Sequence, residues 1–102
     1  MNFGQAIEAA KNGELIKRQG WNGKGMFVFL RPGDSIQHGI IPQIKSLPQK
    51  VKDWFDEQEQ LDGVDIRFTA YLCMKASDDS IVNGWLASQT DMLAEDWSIL
   101  EI

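Results

Sequence analysis

The amino-acid sequence predicts an α+β fold: a mostly antiparallel β-sheet of about five strands with two helices, in a single small domain that assembles as a homo-oligomer. Three observations predict it. From Val64 to Met74 the chain alternates, with Val64, Ile66, Phe68, Ala70, Leu72 and Met74 on one face and Asp65, Arg67, Thr69, Tyr71 and Cys73 on the other, the period of a half-buried strand. Asn-Gly and Gly/Pro/Asp clusters separate short apolar runs, as hairpins require. Two further segments carry apolar residues at helical spacing behind a capping residue. The 102 residues fit one domain, residues 1–102. A chain this short hides about two-thirds of its surface, so a second subunit helps to cover sheet edges and apolar faces.

Taken in order, Asn2 followed by Gln5 opens a helix with Phe3, Ile7 and Ala10 on one side, and Asn12-Gly13 stops it. Glu14 to Arg18 and Met26 to Leu30 read as strands joined in a hairpin by Trp21-Asn22-Gly23-Lys24-Gly25, and Arg31-Pro32-Gly33-Asp34 ends the second. Ser35 to Lys45 shows no period and is assigned no structure. Ser46 reads as an N-cap with Gln49 three residues on and Pro48 in the first turn. Leu47, Val51, Trp54, Phe55 and Gln58 then form the stripe of a helix ending near Leu61-Asp62-Gly63. The strand Val64 to Met74 follows. Ser77-Asp78-Asp79-Ser80 is a turn, Ile81 to Leu86 a strand interrupted by Gly84, Ser88 to Ala94 a helical turn, and Trp97 to Ile102 the closing strand.

Ten basic residues against fifteen acidic ones leave a net charge of −5, which offers no overall attraction to polyphosphate or to an anionic membrane. Neither nucleic acid nor membrane is expected as a direct partner. One Cys and one His exclude an intramolecular disulfide and a Cys/His zinc cluster, and no metal or cofactor is expected. The single cysteine fits a reducing cytosol, and no apolar run reaches the roughly 20 residues that span a bilayer, so an untargeted soluble protein is expected. Catalysis has little support. His38 lies far along the chain from Cys73, and the pairs Asp78/Asp79 and Glu95/Asp96 read as turn and helix-end chemistry. Gly20, Gly23 and Gly25 around Lys24 lack the order of a phosphate loop. No catalytic residue is assigned and the protein is not expected to be an enzyme.

Two stretches combine aromatic, amide and flexible-backbone residues: Trp21-Asn22-Gly23-Lys24-Gly25-Met26 and Trp85-Leu86-Ala87-Ser88-Gln89-Thr90-Asp91-Met92. A tryptophan face stacks on a purine. Glycine-turn amides and Lys24 suit phosphate oxygens, and Ser88, Gln89, Thr90 and Asp91 suit base edges and ribose hydroxyls. Together they describe a pocket for a small anionic nucleotide. The same residues admit a purely structural reading, with Trp21 and Trp85 filling a core, Asn22-Gly23 a turn, and Ser88 with Asp91 a capping box.

These two motifs, with Asn2-Phe3-Gly4-Gln5-Ala6 at the start and the continuation Leu93-Ala94-Glu95-Asp96-Trp97, resemble the phage and prophage family known as the second Thoeris anti-defence family. The resemblance covers nearly the whole chain; it departs between Arg31 and Gly63, where the helix carrying Trp54 and Phe55 looks like an insertion. It implies a non-catalytic phage protein in the host bacterial cytoplasm that sequesters a cyclic nucleotide immune signal, glycocyclic ADP-ribose, and so blocks Thoeris immunity. It further implies homotetramers with pockets between subunits, and cyclic dinucleotides held at a separate site in some relatives. By carry-over, Trp21 stacks on adenine, Asn22, Gly23, Lys24 and Gly25, followed by Met26, meet phosphate and ribose, and Trp85, Ser88, Gln89, Thr90 and Asp91 form the opposite wall. The longer form is also similar to a metagenomic anti-CRISPR family reported to block an RNA-guided nuclease, so a protein-protein inhibitor of such a nuclease is one alternative and a nucleotide-degrading enzyme another.

Overall fold

The computed structural model describes all 102 residues. It contains three α-helices, α1 (Phe3–Lys11), α2 (Gln49–Asp56) and α3 (Gln89–Leu93), and seven strands: β1 (Leu15–Arg18), β2 (Phe27–Arg31), β3 (Asp34–Gln37), β4 (Asp65–Phe68), β5 (Tyr71–Lys75), β6 (Ile81–Asn83) and β7 (Trp97–Leu100). The fold is α+β and its main sheet is five-stranded and antiparallel, in the order β6-β5-β2-β1-β7. Contacts divide the chain into two compact units. One comprises Met1–Pro32 with Ala70–Ile102 and holds the five-stranded sheet, α1 and α3; the other is Gly33–Thr69.

In the first unit, the Asn2 side chain accepts from the Gln5 amide at 2.8 Å while Gln5 Oε1 accepts from the Asn2 amide at 2.9 Å, so both early orphan donors are met and α1 starts where the sequence places it. The helix lays the small side chains of Ala6 and Ala10 on Ile16, Val28 and Trp97, all buried, with Phe3, Leu72, Met74, Trp21, Trp85 and Ala94 packed around them. Small helix residues against large sheet residues bring the two layers close and keep voids few. The register sets Ile16 beside Val28 and Ile99, and Val28 beside Met74, in one row on this face. By the two-residue period, Leu15, Phe27, Phe29, Cys73 and Leu100 share the opposite face, against which neither α1 nor α3 packs.

The second unit holds the β3–β4 hairpin, a 3₁₀ segment His38–Gln43, α2, and a second 3₁₀ turn Glu59–Leu61. Its most buried residues are Ile41 and His38. His38 Nε2 meets the Phe55 carbonyl and its Nδ1 lies 3.2 Å from Asp62 Oδ1.

Several sequence expectations are corrected here. The alternating run Val64 to Met74 is not one strand: Asp65–Phe68 pairs with β3, and after Thr69-Ala70 the chain resumes as β5 in the other sheet, paired with β2 and β6. Alternation reports which face a side chain takes and says nothing of which strand lies alongside. Ser46 does not cap α2. The helix starts after Pro48, which occupies the N-cap without a side-chain hydrogen bond, because a residue preceding proline is driven out of the helical region. Residues assigned no structure form β3 and the 3₁₀ segment. The connection between β1 and β2 spans residues 19–26, with Met26 outside the strand it was expected to open, and β6 ends at Asn83, followed by Gly84 at φ +75°.

Candidate functional site

The two motifs meet. Trp21, in the connection after β1, lies edge-on to Trp85 at 6.2 Å between ring centroids and edge-on to Trp97 at 5.3 Å, and Trp85 meets Trp97 at 6.3 Å. Three indoles in mutually tilted contact form a rigid aromatic corner, with Trp97 buried and Trp21 and Trp85 half-buried. Local chemistry delivers each ring. Trp97 opens β7, Trp85 follows the left-handed Gly84 and its amide donates to the Leu72 carbonyl at 2.7 Å, and Trp21 follows Gly20.

An ion cluster fastens the corner. Arg18 ends β1 opposite Trp97, on the same strand face as buried Ile16, so its charge requires partners. Its Nε donates to Asp96 Oδ1 at 2.8 Å and its Nη1 to Asp91 Oδ1 at 2.8 Å, with side chains 13% (Arg18), 14% (Asp91) and 30% (Asp96) exposed. Asp96 Oδ2 also accepts from the Gly20 amide at 2.7 Å. Asp91 accepts from Trp21 Nε1 at 3.0 Å, and its own carbonyl accepts from Trp97 Nε1 at 2.9 Å. Asp91 is at the same time the third residue of a capping box, its amide donating to Ser88 Oγ at 3.0 Å and its Oδ2 accepting from the Ser88 amide at 3.3 Å. One carboxylate thus caps α3, neutralises Arg18 and orients Trp21.

The electrostatics follow. The hydrogen bonds it donates to Asp96 and Asp91 hold the Arg18 guanidinium above its already high ordinary value. The Arg18 hydrogen bond, opposed by burial, draws the Asp96 carboxyl below the usual carboxylate range. Burial alone pushes Asp91 up, but the hydrogen bonds from Trp21, Arg18 and Ser88 outweigh it and the net shift is downward. All three groups are therefore charged near neutral pH.

Beside the cluster opens a cavity of about 410 Å³ lined by Lys17, Arg18, Gln19, Trp21, Gly23, Gly25, Asp96 and Ser98, within the roughly 300–1,000 Å³ of small-molecule sites. Gly25 takes φ +71°, a conformation that favours glycine, and its carbonyl accepts from Lys75 Nζ at 2.9 Å. The amides of Gly23 and Gly25 donate to no protein acceptor, which leaves them available to an anion.

Of the eleven residues singled out from the sequence, Trp21, Gly23 and Gly25 line this cavity. Asn22 and Lys24 are exposed in the same turn, and Met26 is half-buried with its sulfur packed where a Gly23 side chain would stand. Trp85, Ser88, Gln89, Thr90 and Asp91 do not line it. Trp85 supports Trp21 from the core side, Ser88 and Asp91 make the capping box, and Gln89 and Thr90 are exposed in the first turn of α3. The tryptophans pack on the core, and Trp21 also lines a cavity. Sequence reasoning missed Lys17, Arg18, Gln19, Asp96 and Ser98. The signal for Arg18 was its phase, two residues after Ile16 on a core-facing strand, where an unpaired charge is costly. His38 and Cys73 each have other company, His38 with Phe55 and Asp62, and Cys73 with Asn83 at 3.6 Å.

Two comparisons with known proteins bear on this site. The family described as the Thoeris anti-defense 2-like domain matches the chain over residues 1–100. The protein Thoeris anti-defense 2 of Bacillus phage SP01 is 35% identical over 100 residues, covering 98% of this chain and 94% of that protein.

Proposed function

The chain belongs to the Thoeris anti-defense 2-like family, whose role is phage anti-defence, and on that premise we propose that it binds and sequesters a cyclic nucleotide immune signal without degrading it. The ligand of this reading is glycocyclic ADP-ribose, with cyclic dinucleotides as further candidates, and the place of action is the cytoplasm of the host bacterium. No helix is long and apolar enough to cross a membrane.

The observation that carries the reading is the aromatic corner with its attached glycine turn. Trp21 is braced from behind by Trp85 and Trp97 and by its hydrogen bond to Asp91, while it lines a cavity that also takes Gly23 and Gly25. A ring fixed in advance loses little freedom when a purine stacks on it. Two unoccupied glycine amides stand close by in the same turn, suited to phosphate oxygens. Capture without chemistry fits the state of the acidic groups: Asp91 and Asp96 are hydrogen-bonded to Arg18, Trp21, Gly20 and Ser88 and held in their charged forms, a poor position for a general acid or base near neutral pH.

Within one protomer, the exposed Ser88, Gln89 and Thr90 have nothing to oppose. In our reading they face a ligand across a subunit boundary of a homotetramer, whose protomers also meet through the apolar sheet face that bears Phe27, Phe29 and Leu100. A pocket closed by two chains excludes water and slows release, which a sponge needs because it leaves its ligand intact. The test is to incubate glycocyclic ADP-ribose with the protein, remove the protein fraction, and heat it. Loss of the compound from solution and its recovery unaltered are expected. Recovery of a cleaved product would replace sequestration with catalysis, and retention of all the compound in solution would remove the ligand assignment.

A further inference from the structure

The Arg18 guanidinium is committed to the carboxylates of Asp91 and Asp96, and of the three only Arg18 and Asp96 line the cavity, so the cluster offers an anionic ligand no free cation. Two lysines near the turn do not supply one. Lys75 Nζ is committed to the Gly25 carbonyl at 2.9 Å and to Asp79 at 2.7 Å. Lys24 is exposed and does not line the cavity. Lys17 does line it, half-buried on β1 directly across from Ser98 of β7, which lines it too. Its ammonium has neither an ion-pair partner nor a hydrogen bond, in contrast to Arg18 beside it.

We propose that Lys17, with the Ser98 hydroxyl beside it, is the phosphate-recognising subsite of the cavity and decides that the protein takes a phosphorylated nucleotide. A cation with no partner, set in a concave site beside a fixed acidic cluster, gains most when an anion arrives. The strand register holds the two side chains next to each other, and the Gly23 and Gly25 amides add donors from the turn. Lys24, out on the exposed turn, contributes through long-range attraction that salt screens.

The inference rests on reading the cavity as a nucleotide site, and the experiment separates the two. Binding of glycocyclic ADP-ribose is measured by calorimetry, at low and at high salt, for the wild-type protein and for Lys17→Ala, Lys17→Arg and Lys24→Ala, with melting curves to establish that each variant folds. Lys17→Ala is expected to weaken binding by about tenfold or more, the usual worth of a charged hydrogen bond, and to flatten the salt dependence. Lys17→Arg should retain most of the affinity, and Lys24→Ala should lose less than Lys17→Ala. Wild-type affinity in a folded Lys17→Ala protein would overturn the subsite and leave the nucleotide reading standing. So would equal losses in the alanine and arginine variants accompanied by lower melting temperatures, which mark a structural role. A wild-type protein with no affinity for the compound would overturn the reading and this inference together.

Discussion

Replacing Asp91 by Ala removes one carboxylate that three elements share. It takes away the charged partner of Arg18 Nη1 at 2.8 Å, the acceptor of Trp21 Nε1 at 3.0 Å, and the Ser88 amide acceptor of the capping box at 3.3 Å. Because the Arg18 and Asp91 side chains are 13% and 14% exposed, water replaces these bonds poorly. The bonds from Arg18 and Trp21 both go to an ionised carboxylate, for which about 1.5–3 kcal/mol each is usual, and half of a capping box adds roughly 0.5 kcal/mol. Since the losses overlap, the sum to expect is about 3 kcal/mol. At roughly 4–8 °C per kcal/mol for a domain of this size, the melting temperature should fall by roughly 12–24 °C. Thermal unfolding followed by near-ultraviolet circular dichroism is the assay, because the close, tilted indoles of Trp21, Trp85 and Trp97 dominate that signal. Asp91→Asn, which keeps an oxygen for Trp21 but no charge for Arg18, should fall between. An Asp91→Ala protein that melts within about 2 °C of the wild type, less than half a kcal/mol by the same conversion, with its aromatic spectrum intact, would refute the shared-brace reasoning.

Other outcomes follow from the same geometry. Gly20→Ala places a Cβ 2.8 Å from Asp96 Oδ2 and 3.1 Å from Arg18 Nη2, so the ion pair must shift; a loss of about 1–2 kcal/mol is expected, typical of an overfilled site, read as a lower urea midpoint. The carboxyls of Asp91, Asp96 and Asp78 lie below their ordinary value when folded. Their contribution to stability is therefore full above about pH 4 and is lost as the pH falls through the folded values. Urea midpoints measured at about pH 7, 4 and 3 should decline at the acid end, and less steeply in Asp96→Asn. Phe29→Asp puts a charge on the sheet face opposite α1, and sedimentation should report protomers in place of the proposed tetramer; an unchanged sedimentation profile would move the assembly contact elsewhere.

What the sequence revealed divides by distance along the chain. The α1 capping box joins Asn2 and Gln5, three residues apart, and the α3 box joins Ser88 and Asp91; both are spelled out in adjacent letters. The core face of β5, which bears Leu72 and Met74, was legible from alternation. The partner of each strand was not, which is why one alternating run turned out to serve two sheets. The meeting of Trp21 with Trp85 was anticipated from composition alone, but its cause was hidden. Arg18 and Asp96 stand 78 positions apart, and no local pattern announces a bond of that span. The cavity-lining roles of Lys17 and Ser98 depend on the pairing of β1 with β7, again a matter of register rather than of motif.

That pairing sets an order of events. Because β7 is laid against β1, and Asp96 reaches back to Arg18 and Gly20, the pocket cannot exist before β7 is in place. The bonds of Asp96 to Arg18 and Gly20 close loops of 78 and 76 positions, the kind of closure that comes late and slowly. A chain cut ahead of Asp96 and β7 lacks that carboxylate, Trp97 and Ser98 and with them the means of capture, so the capacity to bind arrives in one step with that strand of the sheet.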